Sequence, residues 1–548
     1  MAKQKVSLQQ SDKKYGGFYR LVPPPQSFLE KIKQLAERTI LFPYHAYQTV
    51  VGRLLSYFVI NPLFRKEEKD DSLILQHPTF PDPLFAKEDE LSVINVYPKK
   101  HIIIRTILNW HRFFVNHMTT AQIANSIWSR IWAGLVNFLP SGKDSIDGYL
   151  DKLVDKVSER IEGKRGAPFS PQQIHFRGIE HLSAEQQESL YQKLEARLHY
   201  DFRPNRQHIY FYTLQTTDNA VLDSVEVRNP EAVNEDISER HFIISSMPRS
   251  NNFVDWLKHY QVYAKKLDAT IVAFNYRGVG LSEGLLTNED DLYADAYAQA
   301  QRLLQLGARP ENIAFMGECL GANVATHTAG TLQEEGLPVK LFNARSFRSL
   351  TSIIEERSVP AKDAPLWHPA TWLSWLKYGL VKLIALPLIR SANWGLNVDE
   401  KFSSIPPHDR DYLVVRSKKD EQGKRFADDK MVPHKHASTY SLVKEKTKAL
   451  AQKKAQGQKL SEVEQEWLSD TPNQHKFYVS EDLHKEARTT NGHTAHPRLL
   501  ISTNPRPDNS QVDGRQYAFN FFNRIWPKYK EEAPAQADKQ LEVQALSV

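Results

Sequence analysis

Across 548 residues the chain has one cysteine, Cys319, so no intrachain disulfide staples the fold. That usage suits a reducing compartment. An excess of charge of one sign is also lacking: 71 basic residues stand against 65 acidic, interspersed, for a net +6, a mild bias that does not resemble a nucleic-acid-binding block. Long apolar runs are scarce, since the stretches 54–60 and 380–389 fall well short of the ~20 residues that span a bilayer, and no transmembrane helix is predicted. Met1 to Gln10 carry no apolar core of a Sec-type signal peptide. The expected location is cytoplasmic, or secreted by a route independent of a signal peptide. Metal-ligand spacing is missing too. His434, His436, His493 and His496 follow no regular pattern such as His-Glu-x-x-His, and no metal or other cofactor is expected.

What is present is a globular composition, 41% hydrophobic and 25% charged, long enough for two to four units at roughly one per 150 residues. From 24 to about 200, apolar residues recur at three- and four-residue spacing over 26–39, 44–59, 102–117, 120–139 and 146–160. This predicts an N-terminal, mainly helical region over 1–200. From about 205 the pattern changes to short β-rich runs alternating with helices, the form of a mostly parallel sheet with crossovers, over 201–530. An opening antiparallel pair is expected at 208–212 and 221–227, then buried strands at 242–246, 270–274, 313–316, 339–344, 412–417 and, last, 476–479. An aromatic stretch at 360–402, with Trp367, Trp372, Trp375 and Trp394, reads as a lid-like insertion or as ordinary packed helices. The lysine- and glutamate-rich segment at 440–475 reads as a charged helical insertion, and 531–548 as a disordered tail.

Cys319 lies in Gly317-Glu318-Cys319-Leu320-Gly321, between the apolar run 313–316 and a helical pattern from Ala322. Strand, Gly-x-nucleophile-x-Gly and helix in that order make a nucleophile elbow, where flanking glycines let the strand and helix backbones approach without a Cβ clash. About 40 residues earlier stands Arg277-Gly278-Val279-Gly280-Leu281-Ser282. Together these motifs resemble the α/β-hydrolase superfamily over roughly 205–526, with a thiol where serine is usual. A large helical extension before a divergent hydrolase half is also similar in layout to lipase-like secreted effectors of intracellular bacterial pathogens.

The resemblance implies an α/β-hydrolase fold and a triad in the order nucleophile, acid, histidine. Gly492-His493, after the run 476–479, resembles the superfamily's histidine loop and makes His493 the base, with His496 and His484 as competitors. Two acids fit. Asp420, in Ser417-Lys418-Lys419-Asp420, follows a strand at the usual distance; Asp429, in Asp429-Lys430-Met431-Val432-Pro433, resembles the other half of the same motif. Asp429 is preferred because Val432-Pro433 starts the next helix and pins the chain beside it; Asp420 is the alternative acid and Asp428 a third. The oxyanion donors implied are the backbone amides of Leu320 and of Met247, in a loop that lacks the family's usual His-Gly start.

The chemistry implied is acyl transfer to water. The helix N-terminus and His493 favour a thiolate at Cys319, which attacks an ester, thioester or amide and forms a thioester acyl-enzyme. The partner expected is an acyl-containing small molecule or lipid, with peripheral membrane contact through the aromatic insertion as a further expectation and no nucleic acid. An acyltransferase differs only in the acceptor, and a catalytically silent scaffold that binds a partner is the rival from another class.

Overall fold

In a computed structural model the chain is described over residues 6–10, 17–24, 41–59, 92–95, 143–163, 174–203, 208–229, 236–360, 369–416, 429–469, 475–479, 493, 497, 500–502 and 512–526, with isolated positions between 27 and 37. The predicted helices at 102–139, the acids Asp420 and Asp428, the competitors His484 and His496, and the tail 531–548 lie outside the described residues.

The strands are β1 (Ser7–Gln10), β2 (Phe18–Val22), β3 (Ser92–Asn95), β4 (Ile174–Arg177), β5 (Ile209–Gln215), β6 (Val221–Val227), β7 (His241–Ser246), β8 (Ala269–Phe274), β9 (Ile313–Glu318), β10 (Lys340–Ala344), β11 (Arg410–Val415), β12 (Lys476–Val479) and β13 (Leu500–Ser502). Eleven form one sheet in the order β1-β2-β5-β6-β8-β7-β9-β10-β11-β12-β13. From β8 to β12 all neighbours are parallel, β6 runs antiparallel to β8, and β13 closes the far edge antiparallel to β12. The central strands are near-continuous apolar runs, Phe242-Ile243-Ile244 and Thr270-Ile271-Val272-Ala273-Phe274 among them, because helices cover both faces.

The helices are α1 (Phe42–Val59), α2 (Lys143–Ile161), α3 (Ala184–Leu198), α4 (Leu257–Leu267), α5 (Glu289–Leu306), α6 (Leu320–Glu334), α7 (Leu350–Ser358), α8 (Pro369–Leu380), α9 (Leu386–Ser391), α10 (Asp399–Ser404), α11 (Thr439–Ala455), α12 (Glu462–Ser469) and α13 (Gly514–Ile525). Asn288 and Asp291 cap α5 reciprocally, three acidic residues fill its first turn, and Gly307 ends it at φ 107°. The path β7–α4–β8 leads one way from β7, and β8–α5–β9 leads back past it. Right-handed crossovers then put α4 and α5 on opposite faces and leave a switch point between β7 and β9, where the carboxyl ends of an open sheet form a crevice.

The predicted opening pair is β5–β6, and the strands predicted from 242 to 479 are β7 to β12. Three features differ from the sequence expectation. β3 and β4, within the predicted helical region, pair parallel as a separate two-stranded sheet. Residues 7–22, counted in the helical N-terminal region, add β1 and β2 to the sheet edge, β2 pairing parallel with β5; such short edge strands hold only Tyr19 and Leu21 of an alternating pattern. The strand 476–479 is not the last, because β13 follows it. The stretch 360–402 holds α8, α9 and most of α10, and the stretch 440–475 holds most of α11 and all of α12. A π-helical turn, Val381–Ala385, joins α8 to α9, so 369–391 is one 23-residue helix, long and apolar enough to cross a membrane although the uninterrupted apolar runs within it are too short.

Residues 143–203 build a second, smaller core from Leu150, Leu153 and Val157 of α2, Phe176 of β4, and Leu190, Tyr191 and Leu194 of α3. Its tie to the sheet is electrostatic. Arg177 of β4 and Asp223 of β6 form an ion pair at 0% and 1% side-chain exposure, and the guanidinium lies 5.2 Å from the Phe253 ring centroid. Removing one partner of such a pair strands a buried charge. Arg177→Ala is therefore expected to cost about 3–5 kcal/mol of unfolding free energy in urea titrations, whereas a change within about 0.5 kcal/mol would show that the pair holds nothing together.

Candidate active site

The elbow is built by backbone contact. A Cβ on Gly317 would come 2.3 Å from the Gly321 carbonyl carbon, and one on Gly321 would come 2.1 Å from the Ser246 carbonyl oxygen and 2.8 Å from that of Met247. Strand β9, the start of α6 and the loop after β7 thus meet at two positions that admit only glycine. Cys319, between them, is forced to φ 52° and ψ −116°, a conformation costing a side-chain-bearing residue roughly 1–3 kcal/mol. It is anchored all the same: its N–H donates to the Ala344 carbonyl across β10, 3.0 Å, and its carbonyl accepts from Asn323 N–H, 3.2 Å.

The register of the parallel strands aligns the surrounding parts. Ser246 lies opposite Gly317, and Ala344 opposite Glu318. The carboxyl ends of β7, β9 and β10 therefore open at one level, at the switch point. Leu320 opens α6, whose first amides have no acceptor within the helix. Met247 is packed beside it at 1% exposure, with its carbonyl accepting from the Tyr276 hydroxyl at 3.0 Å.

The acid and the histidine come from later loops at the same end of the sheet. After β11, Asp429 is held by its own turn: Oδ1 accepts from the N–H groups of Met431 and Val432, both 2.8 Å. His434 fixes that loop to the strand end, its Nε2 donating to the Val415 carbonyl at 2.7 Å. Oδ2 of Asp429 accepts from Nδ1 of His493, between β12 and β13, at 2.8 Å, with the His493 and Asp429 side chains 8% and 0% exposed. Cys319 acts on the same imidazole electrostatically. Of the residues singled out in the sequence, His493 and Asp429 are hydrogen-bonded to each other, and Cys319 acts electrostatically on His493.

Burial alone would make His493 less basic, but its interactions with Cys319 and the hydrogen bond to Asp429 outweigh it and raise the imidazole to about 10. Burial likewise opposes ionisation of Asp429, and the His493 and Val432 hydrogen bonds hold it below the usual carboxylate range.

The sequence reading missed the immediate flank. Glu318, next to Cys319, is ion-paired with Arg345, which sits at φ 54° just past β10 and donates its N–H to the Leu413 carbonyl, 2.7 Å. Both line a cavity of about 30 Å³ beside the elbow, with Met247, Pro248, His259 and Tyr260. That volume suits water and is too small for an acyl chain. A charged residue at the x of Gly-x-Cys was the available signal. The Arg277 motif serves the architecture of the sheet. Its guanidinium is buried against Asp218, Asp291 and Asp295, and Ser282 Oγ donates to the Asn275 carbonyl, 2.7 Å, tying the end of β8 to α5. Among the described residues no group of three or more His, Cys, Asp or Glu side chains is arranged to hold a metal.

A scan of protein-family models found no match, and neither did a search of curated proteins. Among solved structures the chain is similar to an alpha-beta hydrolase from Vibrio vulnificus, at 18% identity and TM-score 0.29, covering 46% of this chain and 72% of that one. It is similar also to an esterase from Pyrococcus furiosus, at 17% identity and TM-score 0.25 over 38% and 69%, and to an acetyl xylan esterase from Paenibacillus, at 11% identity and TM-score 0.27 over 38% and 68%.

The raised imidazole ties stability to pH. A histidine lifted from about 6.5 to about 10 on folding contributes stability in full below pH ~6.5 and loses it as pH rises towards 10. The stability gap between the wild type and His493→Gln, from urea unfolding at a series of pH values, is expected to narrow from about pH 6.5 to about pH 10; a constant gap would show that His493 is not held charged. By strand order and elbow geometry, the fold is that of the α/β-hydrolases.

Proposed function

We propose that this chain is an acyl hydrolase in which Cys319 is the nucleophile, His493 the general base and acid, and Asp429 the carboxylate that orients the histidine. The observation that carries the reading is the buried Asp429–His493 hydrogen bond, whose imidazole interacts with Cys319 at a strained turn on the switch point of the sheet.

The steps follow from the arrangement. With Nδ1–H of His493 directed at Asp429, Nε2 serves the sulfur. The Cys319 sulfur adds to an acyl carbonyl, and the charge moves to the carbonyl oxygen, where the Leu320 amide and that of Met247 are the proposed donors. Collapse breaks the bond to the leaving group, which takes the Nε2 proton of His493 and departs as an alcohol, thiol or amine. The acyl group is then a thioester on Cys319. Water attacks it, giving one proton to Nε2, and collapse restores the thiolate–imidazolium pair and releases the carboxylic acid. The substrate proposed is an apolar acyl ester or thioester, since the helices after β10 present an apolar surface at the same end of the sheet as the elbow.

The test compares turnover of a panel of acyl esters and thioesters, and labelling by an acyl-reactive probe, across variants. Cys319→Ala is expected to lose at least a factor of about a thousand in kcat and all labelling. Asp429→Asn is expected to lose about a hundred- to ten-thousand-fold, far more than Asp420→Asn. Equal turnover and labelling by the wild type and Cys319→Ala would overturn the proposal, and a larger loss from Asp420→Asn would transfer the acid's role.

A further inference from the structure

The helix 369–391 reverses the usual amphipathic pattern. Its packed side is made by Thr371, Ser374, Tyr378, Val381, Leu386 and Ile389, several of them small or polar. Its open side carries Trp372, Leu373, Trp375, Leu376, Leu383 and Ile384, with Trp372 71% and Leu383 79% exposed. A contiguous apolar row of this size at the surface marks a binding face. The neighbouring α1 meets the end of this helix through hydrogen bonds from Tyr44 to the Ser391 carbonyl, 3.2 Å, and between the Tyr47 and Ser391 hydroxyls, 2.9 Å. It adds the exposed side chains of Leu41, Tyr44, Val50 and Leu54.

Two observations choose the occupant. The charge within the helix is one-sided: between Pro369 and Ser391 stand Lys377, Lys382 and Arg390, and no aspartate or glutamate, and with Lys382 paired to Glu355 of α7 at 3.2 Å the bias rests on Lys377 and Arg390. Basic residues flanking an apolar row that begins with two tryptophans match an anionic lipid surface, where cations meet headgroups and indole rings settle at the boundary with the acyl chains. A protein groove offers no reason for that charge bias. The helix is long enough to cross a bilayer, yet the chain on either side returns to adjacent parallel strands, β10 and β11, of one sheet. A crossing would place the two ends on opposite sides of the membrane, so the helix lies in the interface plane.

We infer that the helix 369–391 docks this protein on anionic membranes, inserting Trp372, Trp375, Leu376, Leu383 and Ile384 at the headgroup boundary while Lys377 and Arg390 engage the headgroups. Because β10 is the neighbour of the elbow strand, docking turns the carboxyl-end face of the sheet towards the lipid. The inference goes beyond the catalytic reading and needs no chemistry at Cys319.

Vesicle flotation of the full chain tests it. The wild type and Cys319→Ala are both expected to float with phosphatidylcholine vesicles containing phosphatidylserine, with a blue shift of tryptophan emission, and to float at least about tenfold less with phosphatidylcholine alone. The triple variant Leu376→Ser, Leu383→Ser, Ile384→Ser is expected to lose flotation on both while keeping the wild-type melting temperature and circular dichroism. Lys377→Glu with Arg390→Glu is expected to lose only the preference for phosphatidylserine. A wild type that floats with neither vesicle, or a triple variant that floats as well as the wild type, overturns the proposal. So does sedimentation showing a wild-type dimer that the triple variant abolishes, since the face would then be covered by a second copy. Activity lost in Cys319→Ala with flotation retained separates this inference from the catalytic one.

Discussion

The tightest constraint in the molecule is the backbone contact at Gly317 and Gly321. There helix α6 rests directly on its own strand and on the loop after β7, with no side chain between them. The strand–helix turn and a loop some seventy residues before it are set to a fraction of an ångström at that point, as close-packed interiors are. The distance fixes where α6 begins, and hence where its free amides point. It also fixes the turn at Cys319, whose strained dihedrals survive because the anchors on either side, to Ala344 and Asn323, leave it no other path.

Charge is handled by pairing, in two different manners. Arg177 with Asp223, and Arg277 with Asp295, are sealed in and serve as fixed ties: one holds the smaller N-terminal core to the sheet, the other holds the end of β8 against α5. At Asp429 the same desolvation is put to another use. One carboxylate oxygen is saturated by its own backbone turn, which leaves the other to aim at His493. A carboxylate so fixed selects one tautomer of the imidazole and supports the charge that gathers there.

The sheet and the three central residues are legible in the sequence because each carries a local signature. Continuous apolar runs mark buried parallel strands, and Gly-x-Cys-x-Gly needs its glycines for a reason visible in five residues. Val432-Pro433 favours Asp429 over Asp420 in the sequence, and the Val432 amide donates to Asp429 Oδ1. What escapes notice is long-range or weakly patterned. Strands β1, β2 and β13 span only three to five residues each and gain their order from the neighbours they pair with. The Glu318–Arg345 pair joins two strand ends 27 positions apart, and only the β9–β10 register brings them together.

The π-helical turn at Val381–Ala385 explains why the apolar face of the helix 369–391 is hard to find in a string of residues. One additional residue in a turn rotates everything beyond it by roughly 100° relative to an unbroken α-helix. Beyond the turn Leu386 and Ile389 are buried and Leu388 is exposed, as Leu376 and Leu380 are before it. The turn brings Leu388 into line with Leu376 and Leu380 along the helix, so the apolar side of 369–391 depends on its winding as well as on its composition.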